Sequence, residues 1–170
     1  MDLSDGDFMA AVLTLYELIN TTASPTVATD LNLGSTVNSN ISSTTYPVTV
    51  GTYGMSKILQ LSFGGSFTTV SNIKMYISSG SYVTGEQITY GTSTTFHTST
   101  GGSYADTVAT TVIPTSLPST ANILVGGTIT YTITPTSNTT DYLYLQSSIS
   151  ILASATTIPT KSITFTWDET

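Results

Sequence analysis

Hydrophobic and polar residues alternate along most of this chain with a period of two, which is the pattern of strands that bury one face. The clearest case is NIKMYIS, in which Ile73, Met75 and Ile77 alternate with Lys74 and Tyr76. The alternation predicts a strand whose isoleucine and methionine side chains point into the core, while the lysine and tyrosine side chains point away from it.

The same alternation recurs in other segments, which are separated by turns such as FGGS, SSGS and STGG. In GGTITYTITP it assigns Ile129, Tyr131 and Ile133 to the core. The segment DYLYLQSSISILA is long enough to predict a bulge or bend near Ser147. The remaining predicted strands are TYPVTVGTY, SKILQLSF, GEQITYG and ADTVATTVIP.

The chain closes on SITFTWDET, where Ile163, Phe165 and Trp167 alternate with threonine. Such a segment is suited to pairing and burial, so we predict a paired strand over residues 162–168 with Trp167 mostly buried. The acidic residues that follow the tryptophan are expected to keep the end of the strand solvated.

Residues 8–19 fit two different elements. Ser4 would cap a helix, with acidic residues in its first turn. The rival is a strand with one face formed by Met9, Ala11, Leu13 and Leu15. We favour the strand, because every segment downstream of it has the β pattern.

Eight or more short strands without an intervening helix predict antiparallel sheets, and one polar face per strand predicts that two sheets pack face to face. The expected fold is a single all-β domain over residues 1–170, an antiparallel β-sandwich of jelly-roll or immunoglobulin-like type. Residues 1–45 are expected to be loop-rich or to form an extended arm, because residues 20–45 are dominated by threonine, serine and asparagine.

Charge is scarce and mostly negative, with three lysines and ten acidic residues giving a formal net charge of -7. Nucleic acids and anionic membranes are therefore not expected as partners, since both require a basic surface. The absence of cysteine excludes disulfides and thiolate metal sites. Serine and threonine make up about a third of the chain. Because they alternate with apolar residues, they indicate solvent-facing strand positions rather than a disordered stalk.

The beginning of the chain does not have the pattern of a secretory signal, because acidic residues occupy the place of a basic n-region. The apolar run that follows is interrupted by Thr14 and Glu17 and is too short to span a bilayer. We therefore expect synthesis in the cytoplasm without an export signal.

Few residues suggest catalysis. His97 is the only histidine, and no serine lies in a G-x-S-x-G motif, so we predict an exposed loop histidine rather than part of a triad. Glu86 and Asp106 would be the pair for glycoside hydrolysis, but scattered surface carboxylates are the favoured interpretation. The acids of DLSDGD, residues 2–7, do not follow the order of a calcium loop. We predict no catalytic residue, no bound metal and no cofactor.

Tyrosine is the residue type that most suggests a binding surface. Tyr142 and Tyr144 share a face opposite to their leucine neighbours, and Tyr76 lies opposite the inward residues of its own strand. If these strands are neighbours, the three tyrosines form an outward patch suited to protein contacts.

The serine-, threonine- and glycine-rich strands, the segment NIKMYISSG and the ending DYLYLQ…ITFTWDE resemble small all-β structural proteins of tailed-phage virions, especially capsid decoration or cement proteins. The resemblance implies a non-enzymatic protein on the virion surface that binds the major capsid protein or other virion proteins and bridges neighbouring capsid subunits. We also expect the chain to form a homo-oligomer, either a dimer or a trimer. The alternatives are a tail or fibre component and a carbohydrate-binding adhesin domain of a cell surface.

Overall fold

The chain folds into two antiparallel sheets that pack on each other, so the predicted all-β sandwich is confirmed. A computed structural model describes residues 10–19, 25–28, 31–39, 41–42, 44–132, 138–153 and 158–170. The strands in these residues are β1 (Val12–Leu18), β2 (Thr26–Val27), β3 (Thr52–Tyr53), β4 (Lys57–Gly64), β5 (Thr69–Ser79), β6 (Glu86–Ser93), β7 (Thr111–Val112), β8 (Thr128–Thr130), β9 (Tyr142–Ile149) and β10 (Ser162–Glu169).

The larger sheet has the strand order β2-β1-β4-β9-β6-β7, with β3 pairing to β9, and the smaller sheet has the order β10-β5-β8. The central strand β9 is buried along most of its length because both of its faces are covered. It pairs with β6 in unbroken register from Tyr142 to Ile149, so the bulge predicted near Ser147 does not form.

The main core lies between the two sheets. The smaller sheet contributes Ile73, Met75 and Ile77, as the alternation predicts, and the larger sheet contributes Leu59 and Leu143 opposite them. Each of these side chains has at most 2% of its surface exposed, so each contributes roughly the full transfer free energy of about 1.5–3 kcal/mol.

Residues 12–18 form a strand, as favoured from the sequence, and this strand pairs with β4 along its whole length. Leu13 and Leu15 pack against the main core, as predicted for this face. Ser4 and the acids of residues 2–7 lie outside the described residues. The described parts of residues 10–45 are packed rather than extended, since Leu33 contacts the core and Ile41 is buried, and within these parts only β1 and β2 are strands.

Strand β10 pairs with β5 over its whole length, which confirms the paired strand predicted at residues 162–168. Trp167 is only partly buried, although the prediction places it mostly inside. Its ring meets Phe63 edge-on, with 5.3 Å between centroids, and its ring N–H donates to Glu169 at 3.4 Å. The ring remains partly open because β10 is the outer strand of its sheet.

Three other predictions assign too many residues to strands or to the core. Strand β8 ends at Thr130, and Tyr131 is 41% exposed instead of buried, with its ring edge-on to Phe67. Ile133 lies outside the described residues. Of TYPVTVGTY only Thr52–Tyr53 is a strand, and of ADTVATTVIP only Thr111–Val112 is one.

Candidate interaction surfaces

The outer face of the larger sheet is covered by residues 94–110, which we call the covering segment. It lies against a second apolar cluster, separate from the main core. Gly91 on β6 makes the contact close, because a Cβ at this position would lie 1.9 Å from the carbonyl oxygen of Val108. The members of the cluster are Leu18, Ile58, Ala109 and Tyr144, with Phe96, Val108 and Tyr142 packed against them.

Tyr144 is completely buried beneath this segment, so it is not a surface residue. Its hydroxyl accepts a hydrogen bond from the backbone N–H of His97 at 2.6 Å and donates to the His97 carbonyl at 3.3 Å. Burial raises the pKa of Tyr144 above its ordinary value, although the hydrogen bond to His97 opposes this change.

The three tyrosines proposed as one interface do not come together. Tyr142 is partly buried and packs edge-on against Phe96, with centroids 5.5 Å apart. Tyr76 is also partly buried, but it belongs to β5 in the other sheet. Alternation correctly gives the face of each tyrosine, but it carries no information on which strands are neighbours.

His97 is an exposed loop residue, as predicted. Its ring nitrogen Nε2 lies 3.2 Å from the hydroxyl of Ser93, and its ring stands 6.0 Å from that of Tyr144. Within the described residues no carboxylate is hydrogen-bonded to the imidazole, so the orienting partner that a triad needs is not found there.

Asp106 is buried rather than exposed, so its prediction as a surface carboxylate is wrong. Its Oδ1 accepts hydrogen bonds from the backbone N–H groups of Val108 and Ala109 at 2.8 and 3.1 Å. Its own N–H donates at 2.7 Å to Gln146, whose amide nitrogen donates to the carbonyl of Gly54. These bonds fix the covering segment onto β9 and satisfy the buried carboxylate.

Glu86 is also buried, and the surface prediction is again wrong. Both carboxylate oxygens contact Nζ of Lys161, at 2.6 and 2.8 Å, and one also accepts from the backbone N–H of Val83. The ion pair joins the start of β6 to the residue before β10, so it connects the two sheets. The Lys161 ammonium stands 5.6 Å from the ring centroid of Tyr82, and burial raises the pKa of this tyrosine to about 12.

A second buried ion pair joins Glu17 on β1 to Lys57 on β4, with Nζ and Oε1 2.8 Å apart and each side chain 2% exposed. Lys57 also donates to the carbonyl oxygens of Val37 and Asn38, which fixes this loop to the larger sheet. The sequence contains a signal for this pair, because Lys57 shares the strand face of Leu59 and its neighbours. A lysine on an apolar face requires a buried partner.

The turn after β9 exposes two large apolar side chains. Ala153 donates its N–H to the carbonyl of Ser150 at 3.0 Å, and Ser150 Oγ accepts the N–H of Leu152. Ile151 and Leu152 at the tip are each 78% exposed. Turn tips usually carry glycine, asparagine, aspartate or serine. Because this tip carries isoleucine and leucine instead, we call residues 150–153 the apolar turn.

The apolar turn is anchored on both sides. Ser150 donates its N–H to the carbonyl of Gly85 at 2.7 Å, and a Cβ at Gly51 would lie 2.8 Å from the Ile151 side chain. Val50, the neighbour of Gly51, is itself 53% exposed. The exposed apolar side chains therefore stand on a hydrogen-bonded base at one end of the larger sheet.

An open cleft of about 550 Å³ lies beside the apolar turn, between β3 and the adjoining ends of β6 and β9. Tyr53, Gln87 and Ser148 contribute uncharged polar groups, and Ile151 forms part of the wall. Glu86 also lines the cleft, but its carboxylate is already bound by Lys161.

Within the described residues, no three histidine, aspartate or glutamate side chains come together to hold a metal ion, and no helix is long and apolar enough to cross a membrane. The DLSDGD cluster lies outside these residues. No family model, curated protein or solved structure matches the chain.

Proposed function

We propose that this chain is a non-enzymatic virion structural protein that binds the exterior of an assembled capsid and stabilises contacts between neighbouring subunits. The resemblance of the sequence to phage decoration proteins supports this class. The observation that carries the proposal is the apolar turn, because Ile151 and Leu152 are exposed on an ordered base at one end of the sandwich.

Burying these two side chains in a partner supplies a modest attraction for each copy. Full burial of an isoleucine or leucine side chain is worth about 1.5–3 kcal/mol. Ligands that bind only the assembled shell stabilise it by mass action, and many copies multiply the effect. A contact of this strength therefore suits a protein that occupies many equivalent sites on a lattice.

Electrostatic attraction is expected to contribute little to such a contact. Lys57 and Lys161 are bound in buried ion pairs, and Lys74 is the other lysine of the chain. An apolar contact is insensitive to screening, so binding to the particle is expected to survive moderate salt.

The experiment adds purified protein to shells of the virus that encodes it and measures sedimentation with the shells. Ile151→Asp/Leu152→Asp should weaken binding by at least about 100-fold, because two apolar contacts are replaced by two charges that must lose water. Leu117→Asp/Val125→Asp is the matched control, since it adds the same two charges at side chains that are 55% and 75% exposed outside the apolar turn, and it is expected to have no effect. Equal binding by both variants would contradict the role of the apolar turn.

A carbohydrate-binding function is the second candidate, and the cleft beside the apolar turn favours it. Tyr53 and the uncharged polar groups around it are the types of side chain that contact sugars. The test is a glycan array with the wild-type chain and a Tyr53→Ala variant. Specific binding lost in the variant would promote the adhesin, whereas attachment to a tail or fibre would appear as tail-localised label in electron micrographs.

A further inference from the structure

The outer edge of β10 is a second surface with the character of a binding site. β10 pairs with β5 on one side, and no described strand pairs with it on the other. Thr170 and Thr69 exchange both backbone hydrogen bonds, at 3.0 and 3.1 Å. Because the direction of backbone groups alternates along a strand, the N–H and C=O groups of Ile163, Phe165 and Trp167 point toward the open edge.

This edge is longer than any other sheet edge in the described residues. The other edge strands, β2, β3, β7 and β8, have two or three residues, whereas β10 has eight. Natural edges are blunted by short strands, proline, inward charges or bulges. The register shifts of this pair place the extra residues, such as Asn72 with φ of 51°, on β5, so β10 itself stays regular.

We propose that β10 pairs with β10 of a second copy of this chain, antiparallel and about a two-fold axis, so that two smaller sheets become one continuous sheet. The inference concerns the protein alone in solution, so it does not depend on the function proposed above. A two-fold interface uses the same patch on both copies, and a single strand edge satisfies that requirement.

The side chains of β10 select one register. Residues that lie opposite each other must share a face, which excludes registers centred between two residues, and centring the pair on Phe165 pairs residues 162–168 of one copy with residues 168–162 of the other. Ile163 then lies opposite Trp167 on the inner face, and Thr164 lies opposite Thr166 on the outer face. These are the aromatic–β-branched and threonine–threonine pairs that stabilise antiparallel strands.

The same register also keeps like charges apart. Asp168 of each copy lies opposite Ser162 of the other, so the acidic ends of the two strands are held apart. Two copies of a chain with net charge -7 can therefore meet at this edge without placing like charges opposite each other.

Two variants that differ only at residue 164 test the register. In Thr164→Glu/Thr166→Glu the glutamates of the two copies face each other and repel. In the matched control, Thr164→Lys/Thr166→Glu, opposite charges face each other across the interface. Both variants place a glutamate at position 166 opposite Lys74 of β5, so the effects of this substitution within one copy are the same. Both variants also lose the hydrogen bond between Thr164 and Ser78.

Sedimentation over a range of concentrations gives the dissociation constant of each protein. We expect a wild-type dimer, a dimer in the control, and a dissociation constant at least about tenfold higher in the glutamate pair. A wild-type chain that remains monomeric at every concentration would overturn the proposal. So would equal dissociation constants for the two variants, since the register would then be wrong.

Hydrogen exchange on the unmodified protein provides a test that does not depend on whether the variants fold. On dimerisation the amides of Ile163, Phe165 and Trp167 should slow as concentration rises. The amides of Thr164 and Thr166, which face β5, should be protected at every concentration. A dimer without this alternation at β10 would place the interface elsewhere and overturn the proposal.

Discussion

At the scale of single residues, the most consequential feature is how the sandwich uses its few charges. Lys161 and Glu86 connect the two sheets, and each is 5% exposed at the side chain. A buried charge without a partner keeps its full cost of desolvation, whereas loss of both charges removes that cost. The two residues are therefore expected to behave as a unit in mutation experiments.

Replacing one member of this pair should be more damaging than replacing both. We expect Lys161→Met to lower the free energy of unfolding by about 3–5 kcal/mol, and Lys161→Met/Glu86→Leu to recover most of that loss. Urea unfolding of the single and double variants measures the coupling. Lys74→Met, which changes a lysine outside the buried pairs, is the control. Additive losses in the double variant would contradict the account.

Tyr82 predicts how stability depends on alkaline pH. Burial is the largest cause that raises its pKa from 10.0 to about 12, so the fold favours the neutral phenol. Because the pKa of Tyr82 is higher in the folded chain, its contribution to the free energy of unfolding is complete below pH 10. This contribution is lost as the pH rises toward 12. Stability should therefore fall over this interval, and the fall should be smaller in Tyr82→Phe. Identical pH profiles in urea unfolding would contradict this assignment.

At the scale of elements, alternation predicts the long strands well and the short ones poorly. Strands β4, β5, β6, β9 and β10 lie where the period-two pattern is strongest. ADTVATTVIP has the same pattern, yet only Thr111–Val112 forms a strand. The reason is Asp106, whose carboxylate binds the N–H groups of residues 108 and 109 and so replaces strand pairing with a local turn.

The candidate surfaces could be predicted only in part, because local alternation does not determine which distant segments pack together. The faces of Tyr142 and Tyr144 follow from local alternation, but the burial of Tyr144 depends on residues 94–110 folding over it. This cover is set by contacts between distant segments, such as the close approach at Gly91, and a local period does not encode them. Exposure of the apolar turn likewise depends on where the turn lies in the sandwich.

The covering segment can be tested through Gly91. A methyl group at this position would collide with the Val108 carbonyl at 1.9 Å, so Gly91→Ala should displace the segment and cost about 1–3 kcal/mol. Displacement would also hydrate Tyr144 and lower its pKa, which ultraviolet titration detects. Gly64→Ala is the control, because its Cβ would have 4.0 Å of clearance on another strand. Equal effects in the two variants would contradict the proposed cover.

At the scale of the whole molecule, the two proposed contacts use different surfaces. The apolar turn lies at one end of the larger sheet, and the open edge of β10 belongs to the smaller sheet. A two-fold dimer joined through β10 would therefore carry two apolar turns. Two linked contacts bind a lattice more tightly than either alone, provided that the spacing of the sites permits both. Such a dimer would be suited to bridging neighbouring capsid subunits.

The measurement that tests the central proposal most directly is the distribution of this protein across a density gradient of particles from the virus that the proposal assigns as its source. We expect it to sediment with intact shells at a constant ratio to the capsid subunit, to remain bound in moderate salt, and to be absent from free capsid subunits. Recovery of the protein only at the top of the gradient, with no copies on any particle, would contradict the proposal.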